Sequence, residues 1–168
     1  MKSGIVFSSA SVEWGTPQGL FNELNSFFNF TLDVCASDKN AKCEKYFTKE
    51  NDGLKQSWAG HKCWMNPPYG SEIALWVEKA AEESEYSKYN AAAVIMLVPA
   101  RTDTQWFHKY VVGNPIRFLE GRLKFTRGNG SNNSATFPSM LVQFGHFGRY
   151  KTLGDIPLKP ARYYNSAA

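Results

Sequence analysis

KCWMNPPYGSEIALWVEKAAEESEYSKYNAAAVIMLVPA, residues 62–100, is the stretch whose reading decides the architecture. Lys62, Cys63, Trp64 and Met65 make a short strand that runs into Asn66-Pro67-Pro68-Tyr69. Two consecutive prolines forbid both helix and ladder pairing there, so the backbone is a rigid, non-repetitive loop. From Ser71 the apolar period changes to 3.6, with Ile73, Trp76, Val77, Ala80 and Ala81 on one stripe and Glu78, Glu82 and Glu85 off it, the pattern of an amphipathic helix. Residues 91–98 then form a continuous apolar run bounded by Asn90 and Pro99, which reads as a strand buried on both faces of a parallel sheet.

Working outward, Thr16-Pro17 opens a helix, with Thr as the cap and Pro at the first helical position, and Leu20, Phe21, Leu24, Phe27 and Phe28 recur on one face. Residues 30–34 read as a buried strand with Asp33 near its carboxyl end. The polar segment 38–52 carries only a weak strand signal at Tyr46-Phe47-Thr48, and Asp52-Gly53 signals a turn. On the other side, residues 102–105 fit a capping box and Trp106, Phe107, Tyr110 and Val111 make the apolar face of a third helix. Residues 116–119 and 140–144 read as two strands joined by a long mobile loop that contains the glycine-rich stretch 127–134. Strand and helix alternate, so the expected class is α/β: an open, mostly parallel sheet with helices on both faces, closed by a carboxyl-terminal antiparallel β-pair. Ligands in such sheets lie beyond the carboxyl ends of the strands. Asp33, residues 66–69 and residues 99–103 are therefore expected along one edge.

The 168 residues, 18.9 kDa, suit a single domain over 1–168, and 43% hydrophobic with 20% charged residues excludes a disordered or low-complexity chain. The net charge of +4 is unevenly spread: residues 1–100 carry −3 and residues 101–168 carry +7, the latter through Arg101, Arg117, Arg122, Lys124, Arg127, Arg149, Lys151, Lys159 and Arg162 among others. A basic, acid-poor half suits a phosphate backbone. Cys35, Cys43 and Cys63 are odd in number and form no CxxC pair, so reduced thiols, a cytoplasmic location and no metal site are expected. No segment approaches the roughly 20 apolar residues of a membrane helix, so no membrane association is expected either.

WGTP (14–17), LDVCAS (32–37), NAKC (40–43), DGL (52–54) with Trp58, WMNPPYG (64–70), LVPARTDTQWFH (97–108) and GRLKF (121–125) occur in that order. In this the chain resembles the phage-type DNA adenine N6-methyltransferase family over roughly 14–144. The resemblance implies a Rossmann-like class I methyltransferase fold without a separate target-recognition domain, S-adenosylmethionine as cofactor, DNA as partner, a monomer or weak homodimer, and a role in host-restriction evasion. It implies that Asn66, Pro67, Pro68 and Tyr69 are catalytic. Trp14, Thr16 and Pro17 would close over the methionine moiety, and Asp33, Cys35, Ala36 and Ser37 would form the first cofactor loop. Asp33 would meet the ammonium group, Asp52 the cofactor adenine amine, and Glu50 is a rival for a ribose contact. One departure is plain: most relatives by fold carry a glycine-rich turn where this chain has Cys35-Ala36-Ser37, small residues that still let a ligand approach the backbone.

The chemistry accounts for the residue types. An exocyclic adenine amine is a poor nucleophile because its lone pair is delocalised into the ring. The amide oxygen of Asn66 and the carbonyl of Pro67 would accept its two N–H groups and steer the nitrogen toward tetrahedral geometry, while Tyr69 offers a stacking ring. Phe125 either meets the opposite face of the base or is a core residue, with Arg122 and Lys124 beside it near phosphate. Arg101 and Asp103 follow the apolar strand; Asp103 and Trp106 either shape the target pocket or simply begin a helix. Two rivals stand beside this reading: an RNA or protein-glutamine methyltransferase with the same loop, and an inactive nucleic-acid-binding module in which Tyr69 and Phe125 only stack bases.

Overall fold

The computed structural model describes residues 15–126 and 132–165. In chain order it contains helix α1 (Gln18–Phe28), strands β1 (Leu32–Asp33) and β2 (Lys62–Met65), helix α2 (Ile73–Glu83), and strands β3 (Ala93–Pro99), β4 (Ile116–Phe118), β5 (Lys124–Thr126), β6 (Asn132–Ser134) and β7 (Ser139–Phe144). Five strands form one sheet in the order β1-β2-β3-β7-β4, and β5 with β6 makes a separate antiparallel hairpin. The expected α/β class holds, and the main sheet is mixed, with β7 alone running against the other four strands. β1, β2 and β3 pair in parallel, whereas β7 pairs antiparallel with both β3 and β4. The expected closing pair is there, yet β7 inserts between β3 and β4 and belongs to the main sheet. An antiparallel strand enters from the opposite end and needs no crossover helix, so an apolar run alone does not announce its direction.

Strand alternation builds a core on each face. Cys63, Met65, Val94, Met96, Val98, Met140, Val142 and Phe144 face Ile73, Trp76, Val77 and Ala80 of α2, together with Trp106, Phe107 and Val111. Trp64, Ala93, Ile95, Leu97 and Leu141 face Leu20, Phe21, Leu24 and Phe28 of α1, joined by Phe125, Phe147, Leu153 and Ile156. All seven residues of β3 are buried, as the uninterrupted apolar run implied. The weak signal at Tyr46 is realised at the outer edge of β1: the Asp33 N–H donates to the Lys45 carbonyl at 3.0 Å and the Phe47 N–H to the Asp33 carbonyl at 2.9 Å.

Two helix starts differ from expectation. Pro17, not Thr16, is the cap position of α1 and has no side-chain acceptor to offer, while the Thr16 hydroxyl accepts from Asn66. The third helix begins after Thr104, whose hydroxyl accepts the Phe107 N–H at 3.4 Å, and continues as a π-helical turn over Phe107–Val111. Its Tyr110 hydroxyl donates to the Glu78 carboxylate of α2. Trp14, Arg127 and most of the glycine-rich loop lie outside the described residues. No described helix is long and apolar enough to cross a membrane.

Candidate active site

β2 stops at Met65 because Pro67 and Pro68 have no N–H to offer a neighbouring strand. Pro67 is buried and Pro68 exposed, so the loop lies against the body of the protein with one edge in solvent. Asn66, at the head of the loop, donates from Nδ2 to Thr16 Oγ1 at 3.1 Å and accepts at Oδ1 from the Tyr69 hydroxyl at 2.9 Å. Thr16 is carried there by Gly15, which pairs with Thr126 of β5 through two backbone hydrogen bonds of 2.8 and 3.1 Å. The hairpin, the start of α1 and the loop after β2 thus meet at one amide.

A cavity of about 410 Å³ opens beside this amide, beyond the carboxyl ends of β1 and β2. Asn66, Pro67 and Pro68 form one wall and Gly15 and Thr16 a second. Asp33, Cys35, Ala36, Asn40 and Lys42 line it from the end of β1 and the segment after it, and Asp52, Gly53, Leu54 and Trp76 from the turn before β2 and from α2. Asp33 is only 3% exposed, and its carboxylate accepts the backbone N–H groups of Lys42 at 3.0 Å and Cys35 at 3.4 Å. Burial outweighs those two donors and pushes its carboxyl up to about 6. Burial likewise raises the Cys35 thiol well above its ordinary value and Cys43 to about 12, so neither is a thiolate nucleophile at neutral pH.

The lining around Gly53 is tightly built. A Cβ on Gly53 would stand 2.1 Å from the Val34 carbonyl oxygen and 3.1 Å from the Trp76 ring. Trp76 stacks on Trp58 with centroids 6.4 Å apart and planes at 20°, and its buried indole N–H has no hydrogen-bond partner among the described residues. Asp52 sits in the left-handed region at φ 54° and pairs with Lys55 at 3.0 Å.

Tyr69, which donates to Asn66, belongs to an aromatic cluster outside the cavity lining. The Tyr69 ring meets Phe137 at 5.4 Å and Phe125 at 6.0 Å, both edge to face. Burial raises the Tyr69 phenol, so it stays a hydrogen-bond donor. Phe125 is fully buried, which places it in the core beneath Tyr69.

Of the residues expected at a cofactor site, Thr16, Asp33, Cys35, Ala36 and Asp52 line the cavity, whereas Pro17 and Ser37 lie next to lining residues without joining them. Glu50 is exposed and does not line it. Arg101, Asp103, Arg122 and Lys124 are exposed and outside the cavity; residues 101–103 follow β3, which runs parallel to β2, and so stand at the same carboxyl edge as Asp33 and Asn66 without lining the cavity. Sequence reasoning missed Lys42, Gly53 and Trp76 as cavity residues. Lys42 sits in the NAKC block and Gly53 in a recognised turn, but nothing in spacing tells which side of either segment faces a ligand.

Comparison with known proteins places the chain in a family. The sequence profile of the family DNA N-6-adenine-methyltransferase (Dam) matches residues 7–154. The DNA N-6-adenine-methyltransferase of Haemophilus phage HP1 (strain HP1c1) is 30% identical over 142 residues, covering 78% of this chain and 77% of the relative. That of Escherichia phage T1 is 36% identical over 96 residues, covering 56% of this chain and 38% of the relative. The matched span takes in β1, the cavity, the loop after β2 and β7 together, and the chain belongs to the DNA N-6-adenine-methyltransferase (Dam) family.

Proposed function

We propose that Asn66, Pro67, Pro68 and Tyr69 form the loop at which this DNA adenine-N6 methyltransferase moves a methyl group from S-adenosylmethionine to the amine of an adenine turned out of its helix. The observation that carries this reading is the position of Asn66, whose amide borders the cavity and accepts the Tyr69 hydroxyl of the aromatic cluster. One acceptor stands between a donor compartment and an aromatic one. Parallel β1, β2 and β3 with the cavity past their carboxyl ends, and the reversed β7 before the edge strand, support a Rossmann-like methyltransferase fold.

The cavity suits the cofactor on three counts. Its volume lies in the range of about 300–1,000 Å³ usual for small-molecule sites. Asp33 is a buried carboxylate for an ammonium group, and Trp76 with Asp52 offers a flat ring and an acceptor for an adenine amine. S-adenosylmethionine, when bound, supplies an electrophilic sulfonium methyl. The protein's own task is to prepare the amine. Asn66 Oδ1 has two lone pairs, so an incoming N–H and the Tyr69 hydroxyl fit on it together. Thr16 Oγ1, by accepting Nδ2, keeps that oxygen turned to the aromatic side. The Pro67 carbonyl accepts no hydrogen bond from a described residue, which leaves it for the second N–H. Holding both N–H groups aims the nitrogen lone pair at the cavity, and alignment of this kind carries much of a rate enhancement.

Turning the base out costs a few kcal/mol. Stacking on Tyr69, worth about 1–3 kcal/mol, offsets much of it. Arg101, Asp103, Arg122 and Lys124 are assigned to the DNA side, with Phe125 supporting Tyr69 from beneath. The test is to incubate the protein with labelled methyl donor and a mixture of DNA, RNA and protein, then digest and identify the product. N6-methyladenine in DNA is expected; label only in RNA or in glutamine amides would overturn the assignment.

A further inference from the structure

The cavity lining includes two oppositely charged residues, Asp33 and Lys42, whose side chains form no ion pair with each other. Asp33 Oδ2 is occupied by the backbone N–H of Lys42 at 3.0 Å, and the Lys42 ammonium turns instead to a neutral acceptor, Gln18 Oε1, at 2.7 Å. Among the described residues Lys42 forms no ion pair, although it is half-buried. Its ammonium is destabilised by that burial, the Asp33 charge offsetting only part of the loss. The other charged groups of the wall are differently placed. Lys49 and Glu72 are exposed, and Asp52 already has a cationic neighbour in the exposed Lys55 at 3.0 Å. A half-buried ammonium held on a neutral oxygen beside an unmatched buried carboxylate is a receptor for a zwitterion.

Resting on the reading of this cavity as the donor site, we propose that Lys42 is the carboxylate anchor of the cofactor's amino-acid end, with Asp33 taking the ammonium, so that the pocket selects an α-amino acid rather than a simple amine. Gln18 is then the resting partner that holds the Lys42 side chain in place until the carboxylate arrives. Nothing in the order of residues marks Lys42 for this role; it follows from the backbone bond that fixes Lys42 to Asp33 and the reach of its side chain to the first residue of α1.

The probes are S-adenosylmethionine and decarboxylated S-adenosylmethionine, which lacks only the carboxylate. Their affinities for the full chain, measured by calorimetry, read the anchor directly. The natural chain should prefer the carboxylated ligand by about tenfold to a hundredfold, the range for a hydrogen bond to a charged group. Lys42→Met should lower affinity for S-adenosylmethionine by that factor and for the decarboxylated ligand by less than about threefold, and Lys42→Arg should keep most of the preference. Equal loss of both ligands in Lys42→Met, or no preference in the natural chain, would overturn the anchor while leaving the donor site standing. Failure of the natural chain to bind either ligand would overturn the donor-site reading and the anchor with it. Should Lys42→Met not fold, the natural chain's preference and Lys42→Arg still decide the matter.

Discussion

The two sides of Asn66 are built in opposite ways. On the donor side a cavity is already open, walled by strand ends, a glycine that admits no Cβ, and a buried acid held by two backbone amides. On the base side the described side chains are packed ring against ring: Tyr69 meets Phe125 and Phe137 edge to face, and its hydroxyl donates to Asn66 Oδ1, the oxygen proposed for the adenine amine. The difference follows from what each ligand brings. A free cofactor must be captured by a pre-shaped site, because disordered walls would have to be ordered at the expense of affinity. On the proposed mechanism a base turned out of DNA brings the duplex with it, and the surface it meets is Tyr69 backed by Phe125 and Phe137.

Substitutions separate the two sides. The largest effect is expected at the boundary: Asn66→Ala should lower kcat by on the order of 10²–10³, the scale for loss of one positioned polar group, while calorimetric affinity for S-adenosylmethionine changes less than about threefold. Equal loss of both would make Asn66 part of the donor side alone. Next comes Gly53→Ala, which places a methyl group 2.1 Å from the Val34 carbonyl oxygen. Such overpacking costs about 1–3 kcal/mol or more, so Tm should fall by several degrees and cofactor affinity with it. An unshifted Tm would show that the donor side is less tightly fixed than the base side.

Acid should act on the donor side too. With Asp33 pushed up to about 6, the free protein gives up the charged form below that pH. Affinity for the cationic end of the donor should fall as pH drops below about 6 and level off above it, and Asp33→Asn should flatten the profile. The stability of the free protein has the opposite sign. Asp33 is raised from its ordinary value of 3.8, so the folded chain holds this proton more tightly than the unfolded one. The group's contribution to stability is full below about pH 4 and is lost as pH rises through about 6. Comparing Tm against pH for the natural chain and Asp33→Asn checks the sign. The smallest effect belongs to the surface: Arg122→Glu with Lys124→Glu should leave cofactor affinity unchanged and reduce the salt slope of DNA binding by about 2. An unaltered slope would place the DNA on another face.

Much of the donor side is legible in residues 62–100. The strand, the proline loop, the helix stripe and the buried strand stand where the periodicity puts them, and Asp33 ends the neighbouring strand as read. What escapes is what depends on partners far along the chain. A fully apolar strand looks the same whether its neighbour runs parallel or antiparallel, so the insertion of β7 beside β3 leaves no mark on either segment. Thr16 satisfies every local rule for a helix cap, but Asn66, 50 residues away, claims its hydroxyl. Lys42 is one lysine among several in a polar loop until the Asp33 carboxylate fixes its backbone. Local propensity governs elements; single side-chain roles in the site are settled by tertiary contact.

The most direct test of the central claim is a crystal structure of the chain with S-adenosylhomocysteine and a DNA duplex that it methylates. The expected complex has an extruded adenine stacked on Tyr69, its amine nitrogen within hydrogen-bond distance of both Asn66 Oδ1 and the Pro67 carbonyl, and the ligand's sulfur in the cavity on the far side of that nitrogen. An adenine amine bound by other groups, or a sulfur lodged away from Asn66, would contradict it.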